Sequence, residues 1–193
     1  MANTKEIQDR IKSINDTLKI TNAMYMISSS KLKKSKKMLA DTEPYFFTLQ
    51  SEMSRILRHL PDMEDIYFKT NEDKLPEKQS HYTIQNPTLN RARNIAEEIL
   101  ELYLHNELDE VYIIYTSMIN AIQEETQMSQ LLPLKKADFT VQIPIDIPRE
   151  ELALKPSPEA VMDRIVPNYV VGFVYGALVE SFSCEQNARM MAM

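Results

Sequence analysis

Ile7-Gln8-Asp9-Arg10-Ile11-Lys12-Ser13-Ile14-Asn15-Asp16-Thr17-Leu18 opens the stretch whose reading decides the fold. A four-three spacing selects Ile7, Ile11, Ile14, Leu18, Thr21, Tyr25, Ser28, Leu32, Ser35 and Leu39. That is a coiled-coil seam carried over about five heptads. No glycine lies between residues 4 and 58, and Pro44 is the one proline there. The spacing therefore predicts one long helix, broken or kinked at Pro44. At ~1.5 Å per residue, about 40 residues make a rod of roughly 60 Å. Such a rod cannot bury its seam inside a compact domain and needs a partner helix. Thr21, Ser28 and Ser35 are small, so the partner can come close there.

The far end of the chain offers that partner. Pro156-Ser157-Pro158-Glu159 reads as a helix start, with Ser157 as cap and Pro158 in the first turn. The helix runs on to the last residue, and Pro167 is expected to kink it or to mark its true start. Val170, Val174, Ala177, Ser181, Cys184, Ala188 and Met191 repeat the four-three spacing with mostly small side chains. Each seam alone suits an ordinary bundle. Taken together they suit an antiparallel shaft, closely packed.

Between the two lies a smaller unit. Residues 69–80 are polar and read as a linker. Asn86-Pro87-Thr88 opens a helix capped by Asn86 or Thr88, with Ile95, Ile99, Leu102 and Leu104 on its apolar side. Val111 to Thr116 is β-branched and aromatic, hence a strand, and Thr126 to Leu134 is a second strand that stops at Pro133. Asp138 to Pro148 alternates apolar residues with proline and reads as extended or loop.

Composition narrows the function. Only Gly172 and Gly176 are glycine, too few for a complete nucleotide-binding α/β domain, whose phosphate loops need them. The N-terminus is polar and carries no secretory signal, and the apolar run Tyr169 to Val179 is about half a membrane span. A soluble chain without a direct membrane span is expected. Residues 1–40 hold nine Lys/Arg against three Asp/Glu, while the rest of the chain is strongly acidic. Lys31, Lys33, Lys34, Lys36 and Lys37 form the densest basic cluster. No aromatic residue interleaves them, so an acidic protein partner fits better than nucleic acid. His59, His81 and His105 are scattered, Cys184 sits in a seam, and no catalytic or phosphate-binding motif is present. Neither catalysis nor a metal or cofactor is expected.

Three stretches go further. Ile7 to Ile14, Thr17 to Met26 and Lys31 to Lys34 resemble the opening helix of the gamma subunit of F-type ATP synthases. Gly176 to Met193 resembles that family's closing helix, and Asn86 to Leu134, ending in Ser129-Gln130-Leu131-Leu132-Pro133-Leu134, resembles its middle. The resemblance implies a mainly α fold with a small α/β part. A long antiparallel two-helix coiled coil of the N- and C-terminal helices would join a partial Rossmann-like domain. The divisions are a first helix over 1–60, a linker over 61–85, an α/β part over 86–150 and a closing helix over 156–193. A block of the family's first α/β segment is missing near 70–83, and the family's closing helix continues past the position of Met193.

By the same resemblance the chain is a non-catalytic rotor of the central stalk. It would carry torque between a membrane c-ring and a ring of alpha and beta subunits, with an epsilon subunit at its foot. The setting is the cytoplasmic face of a bacterial plasma membrane, with proton or sodium flow driving ATP synthesis. Ile7, Ile11, Ile14 and Leu18 would face the partner helix or the ring's inner sleeve. Lys31, Lys33 and Lys34 would meet acidic loops of beta, and Glu185, Gln186 and Arg189 the same region. The alternatives are a truncated gamma-like protein that binds the ring without coupling, and a basic coiled-coil adaptor.

Overall fold

The computed structural model describes residues 4–69, 77–82, 85–120, 122–139 and 153–193. Helix α1 runs over Thr4–His59, α2 over Leu89–Leu104 and α3 over Pro158–Ala192. Strands β1 (Val111–Met118) and β2 (Glu124–Leu132) form a two-stranded antiparallel hairpin. The expected loop over 138–148 and much of the linker over 69–80 lie outside the described residues. Lys136–Phe139 is a short 3-10 turn.

Neither internal proline ends its helix. Pro44 and Pro167 both lie within continuous helix, so the first is no break and the second no helix start. Proline removes the hydrogen bond to the carbonyl four residues back, here that of Ala40 and of Asp163. Both residues are exposed, so water can reach those carbonyls. Packing on either side then holds the helix together.

The caps follow the sequence. Thr88 Oγ1 accepts from Arg91 N at 3.3 Å, and Ser157 Oγ accepts from Ala160 N at 3.2 Å. Helix α2 closes with Asn106 in the left-handed region at φ 57°. Its amide donates to Tyr103 O and that of Glu107 to Leu102 O, a closure usually reserved for glycine. Ala92, Ile95, Ala96, Leu100 and Tyr103 are the buried face of α2. Leu104, expected on that side, is exposed.

The core gathers where α1 ends and α3 begins. Met53, Ile56 and Leu57 meet Met162, Val166 and Val170 there, together with the buried face of α2 and Leu131 and Leu132 of β2. Tyr103 ties the chain leaving α1 to α2, its hydroxyl lying 3.0 Å from Lys69 O and 3.4 Å from Ile66 O. Burial pushes that phenol up to about 12.

Above this core, α1 and α3 run antiparallel as a two-helix shaft. Ser35 Oγ lies 2.9 Å from Ser183 Oγ. Ser35 gives its one proton to Leu32 O at 3.0 Å, so Ser183 is the donor of the pair. Gly172 faces Phe46, whose ring carbon would stand 2.0 Å from a Cβ added at Gly172. The row of α3 that meets α1 therefore includes Gly172 and Ser183, which the row read from the sequence lacks. Ser181 and Cys184 of that expected row turn to the hairpin instead. Thr116 N donates to Ser181 Oγ at 3.1 Å, and Cys184 Sγ donates to Thr116 O at 3.6 Å. Helix α3 has α1, α2 and β1 as neighbours, so it is apolar on several sides and its period is blurred.

The same crowding explains its composition. By length and apolarity alone α3 could cross a membrane, over an 18-residue window of mean hydropathy 1.3, half of it buried in the fold. The apolar run is thus longer than the Tyr169–Val179 stretch suggested. Its contacts account for it as a core helix.

Candidate functional site

The pairs Ser35–Ser183 and Phe46–Gly172 fix one register along the shaft. In that register Met193 stands level with Tyr25. From Thr4 to about Met24, α1 has no partner helix among the described residues, a length of roughly 30 Å. The seam divides at this level. Ser28 and Ser35 are buried, and Leu32 and Leu39 partly so. By contrast Ile7 is 52%, Ile11 55%, Ile14 66% and Leu18 55% exposed. These are four large apolar side chains in heptad spacing, exposed along one row of α1.

A second group sits further along the shaft, where α3 packs beside α1. Lys31, Lys33 and Lys34 are exposed on α1. Glu185 and Arg189 are exposed on α3 and form an i, i+4 ion pair. The register places Glu185 level with Lys33 and Arg189 level with Ser29, so these five share one band of the shaft. Leu18 is roughly 20 Å further along α1 than Lys31. The apolar and charged groups are therefore two separate places on one rod.

Gln186 does not join the band's surface. It is 2% exposed, and its Oε1 is buried without a protein partner. As part of the expected contact set its side chain points the wrong way, because residue 186 falls on the inward row with Ser183. The neighbouring Asn187 Nδ2 donates to Glu124 Oε1 at 3.4 Å, which fixes the start of β2 against α3. Sequence reasoning missed this hairpin seat: the residues that make it are short and polar and carry no periodic signal.

Glu180 and Cys184, on α3, have shifted protonation. Burial, then Glu43, pushes the Glu180 carboxyl up. Burial, then Glu124 and Glu180, pushes the Cys184 thiol up to about 11, so it stays a neutral donor to Thr116. Among the described residues no three His, Cys, Asp or Glu side chains gather as a metal site. The arrangement suits recognition and force, with no constellation for bond-making.

Comparison with known proteins agrees in kind. The profile of the family described as ATP synthase matches residues 3–78 and 63–193. The chain is 33% identical over 250 residues to the ATP synthase gamma chain of Ruminiclostridium cellulolyticum, covering 99% of this chain and 85% of that one. It is 33% identical over 254 residues to that of Acetivibrio thermocellus, covering 100% and 86%. A sodium-ion-specific gamma chain from Acetobacterium woodii is 26% identical over 258 residues, covering 99% and 85%. Among solved structures, the central stalk and c-ring of the Tetrahymena thermophila mitochondrial ATP synthase includes a chain similar in fold. Its TM-score is 0.59 at 20% identity, over 90% of this chain and 97% of that one.

The alignments also measure what is shorter here. The first spans 250 positions against a chain of 193 residues, so at least 57 positions (250 less 193) fall opposite gaps in this chain. The family profile matches in two pieces that overlap at 63–78, next to the expected gap near 70–83.

Proposed function

Since the chain belongs to the ATP synthase gamma chain family, the non-catalytic rotor subunit of the central stalk, we propose that its α1–α3 shaft turns inside a ring of alpha and beta subunits. The opposite end, where α1 ends, α3 begins and α2 packs, would meet a membrane c-ring and an epsilon subunit, and proton or sodium flow would drive the turning. The setting is the cytoplasmic face of a bacterial plasma membrane, in keeping with the bacterial origin of the similar gamma chains. The family membership displaces the adaptor reading.

The observation that carries this reading is the division of the shaft. An exposed apolar row, Ile7, Ile11, Ile14 and Leu18, lies further along α1 from a charged band of Lys31, Lys33, Lys34, Glu185 and Arg189. An apolar rod suits an apolar sleeve, where directional bonds would not obstruct turning. Exposed lysines suit acidic loops met in passing, because ion pairs at a wet surface are weak and reform readily. A rod with different faces stabilises different states of otherwise equivalent neighbours, and that is all coupling requires.

The test is to assemble the chain with the alpha, beta, epsilon and membrane sectors of its source organism and to follow ATP-driven ion pumping. Pumping that falls when Lys31, Lys33 and Lys34 are changed to Glu supports the reading. Unchanged pumping in that variant removes the lysines from the site.

A second reading is a gamma chain that binds the ring without coupling. The internal shortening of at least 57 positions favours it, because the shortened part is the α/β foot and not the shaft. Tight binding to the alpha/beta ring with ATP hydrolysis but no pumping is its signature.

A further inference from the structure

The outer face of the β1–β2 hairpin carries apolar side chains where an antiparallel sheet ordinarily shows polar ones to water. Ile114 stands opposite Met128 across the strands, and the two are 68% and 67% exposed. Tyr112, two residues along the same face, is 47% exposed. A single exposed apolar residue is ordinary, whereas a contiguous group marks a contact surface. The other side of the hairpin holds this group still. The Tyr115 ring meets Phe173 edge-on at 6.3 Å, Thr116 N donates to Ser181 Oγ, and Leu131 and Leu132 are buried in the core.

Negative charge sits at both ends of the face. Tyr112 Oη donates to Glu110 Oε2 at 2.8 Å, which fixes a carboxylate beside the apolar group. At the other end Glu124, on the same face as Met128, pairs with Met118, and Glu125 follows it. Between Arg93 and Lys135 the sequence has no Lys or Arg to offset these charges. From Glu110 to Met118 the face is roughly 26 Å long, at ~3.3 Å per residue. Paired strands lie about 4.8 Å apart, so two of them make a strip about as wide as one α-helix.

A strip that is apolar in the middle and acidic at both ends repels an anionic membrane and the same face of a second copy. It fits a helix of about 17 residues that has an apolar stripe and Lys or Arg towards each end. We propose that the outer hairpin face is a docking seat for such a basic amphipathic helix, supplied by a partner protein. Ile114 and Met128 take the apolar stripe, and Glu110 and Glu124 take the cations at its ends. The seat lies on the hairpin and not on the shaft, so the inference stands apart from the rotor reading.

The experiment titrates the whole chain into two fluorescently labelled helical peptides and follows their anisotropy. Each peptide is about 17 residues long with a leucine stripe; one has lysines towards both ends and the other glutamates. The lysine peptide is expected to bind the parent, and the glutamate peptide at least about tenfold more weakly. The double variant Ile114→Ser, Met128→Ser should weaken the lysine peptide about tenfold or more, since two large apolar side chains lose their burial. Its melting temperature should match the parent's, because both side chains are exposed in the free chain. Glu110→Gln with Glu124→Gln, which keeps an acceptor for Asn187, should weaken binding less and flatten its salt dependence. Equal binding of the lysine peptide to the parent and the double variant, or none to the parent, overturns the seat. Sedimentation that finds the parent dimeric and the double variant monomeric also overturns it, by giving the face to a second copy.

Discussion

Gly172→Ala is the sharpest probe of how closely the shaft is packed. In an open helix position, alanine in place of glycine stabilises by about 0.8–1.0 kcal/mol. At Gly172 the new Cβ would lie 2.0 Å from Phe46 Cδ1 and 2.5 Å from its Cγ. The Cγ is the root of the ring, so the side chain cannot yield by moving its far end, and the helices must part. Overpacking of this kind costs about 1–3 kcal/mol. The net effect is a loss of about 0–2 kcal/mol. Gly176, one turn later in the same helix, has nothing within 4 Å of its added Cβ, so Gly176→Ala should gain the full propensity term. The two variants, identical in composition, are expected to differ by about 1–3 kcal/mol. For a chain of this size each kcal/mol moves Tm by roughly 2–4 °C. Thermal and urea unfolding of both variants read the difference directly. Equal stabilisation by both would refute the close approach of α1 and α3 at Phe46.

Ser35→Ala should cost about 1–2 kcal/mol by leaving the buried Ser183 hydroxyl unpaired, Ser183→Ala should cost less because Ser35 keeps its bond to Leu32 O, and the double variant should come back towards the parent; unfolding of all three checks it. Glu180→Gln should stabilise the chain at pH 7. The folded carboxyl is pushed up, so its stabilising effect is full below the ordinary carboxylate range and is lost as pH rises through the folded value; urea unfolding against pH should lose that slope in the variant. Cys184, pushed up to about 11, should resist iodoacetamide at pH 8 in the folded chain and react at once in guanidinium. By the same linkage its contribution is full below about pH 8.5 and is lost as pH climbs towards 11, which Cys184→Ala should remove from a pH–stability curve.

Much of the fold was legible because it obeys simple periods. The four-three spacing from Ile7 to Leu39 marks α1, and Ser157-Pro158 and Thr88 mark the starts of α3 and α2. β2 stops at Leu132, just before Pro133, as a residue without an amide proton requires. The prolines misled because their cost depends on whether the orphaned carbonyl reaches water, and exposure is not written in the local sequence. The row of α3 that meets α1 was misjudged because three neighbours share that helix, and Gly172 and Ser183 do not look like core.

Of the candidate site, the apolar row is legible as part of a seam, but its exposure at Ile7, Ile11, Ile14 and Leu18 is not written in the spacing. The charged band rested on family resemblance, and the structure adds that its two halves share a level. Gln186 joins Glu185 and Arg189 in the contact set by family resemblance alone, and a helix turns about 100° at each residue, which here carries its side chain inward.

The most direct test is rotation itself. The chain, carrying a bead at an exposed hairpin-end cysteine introduced at Glu107, is assembled with immobilised alpha/beta ring and supplied with ATP. One-way turning with as many pauses per turn as the ring has catalytic subunits is the predicted result. A bound bead that only jitters while ATP is hydrolysed would contradict the rotor account and leave a gamma chain that occupies its ring without being driven by it.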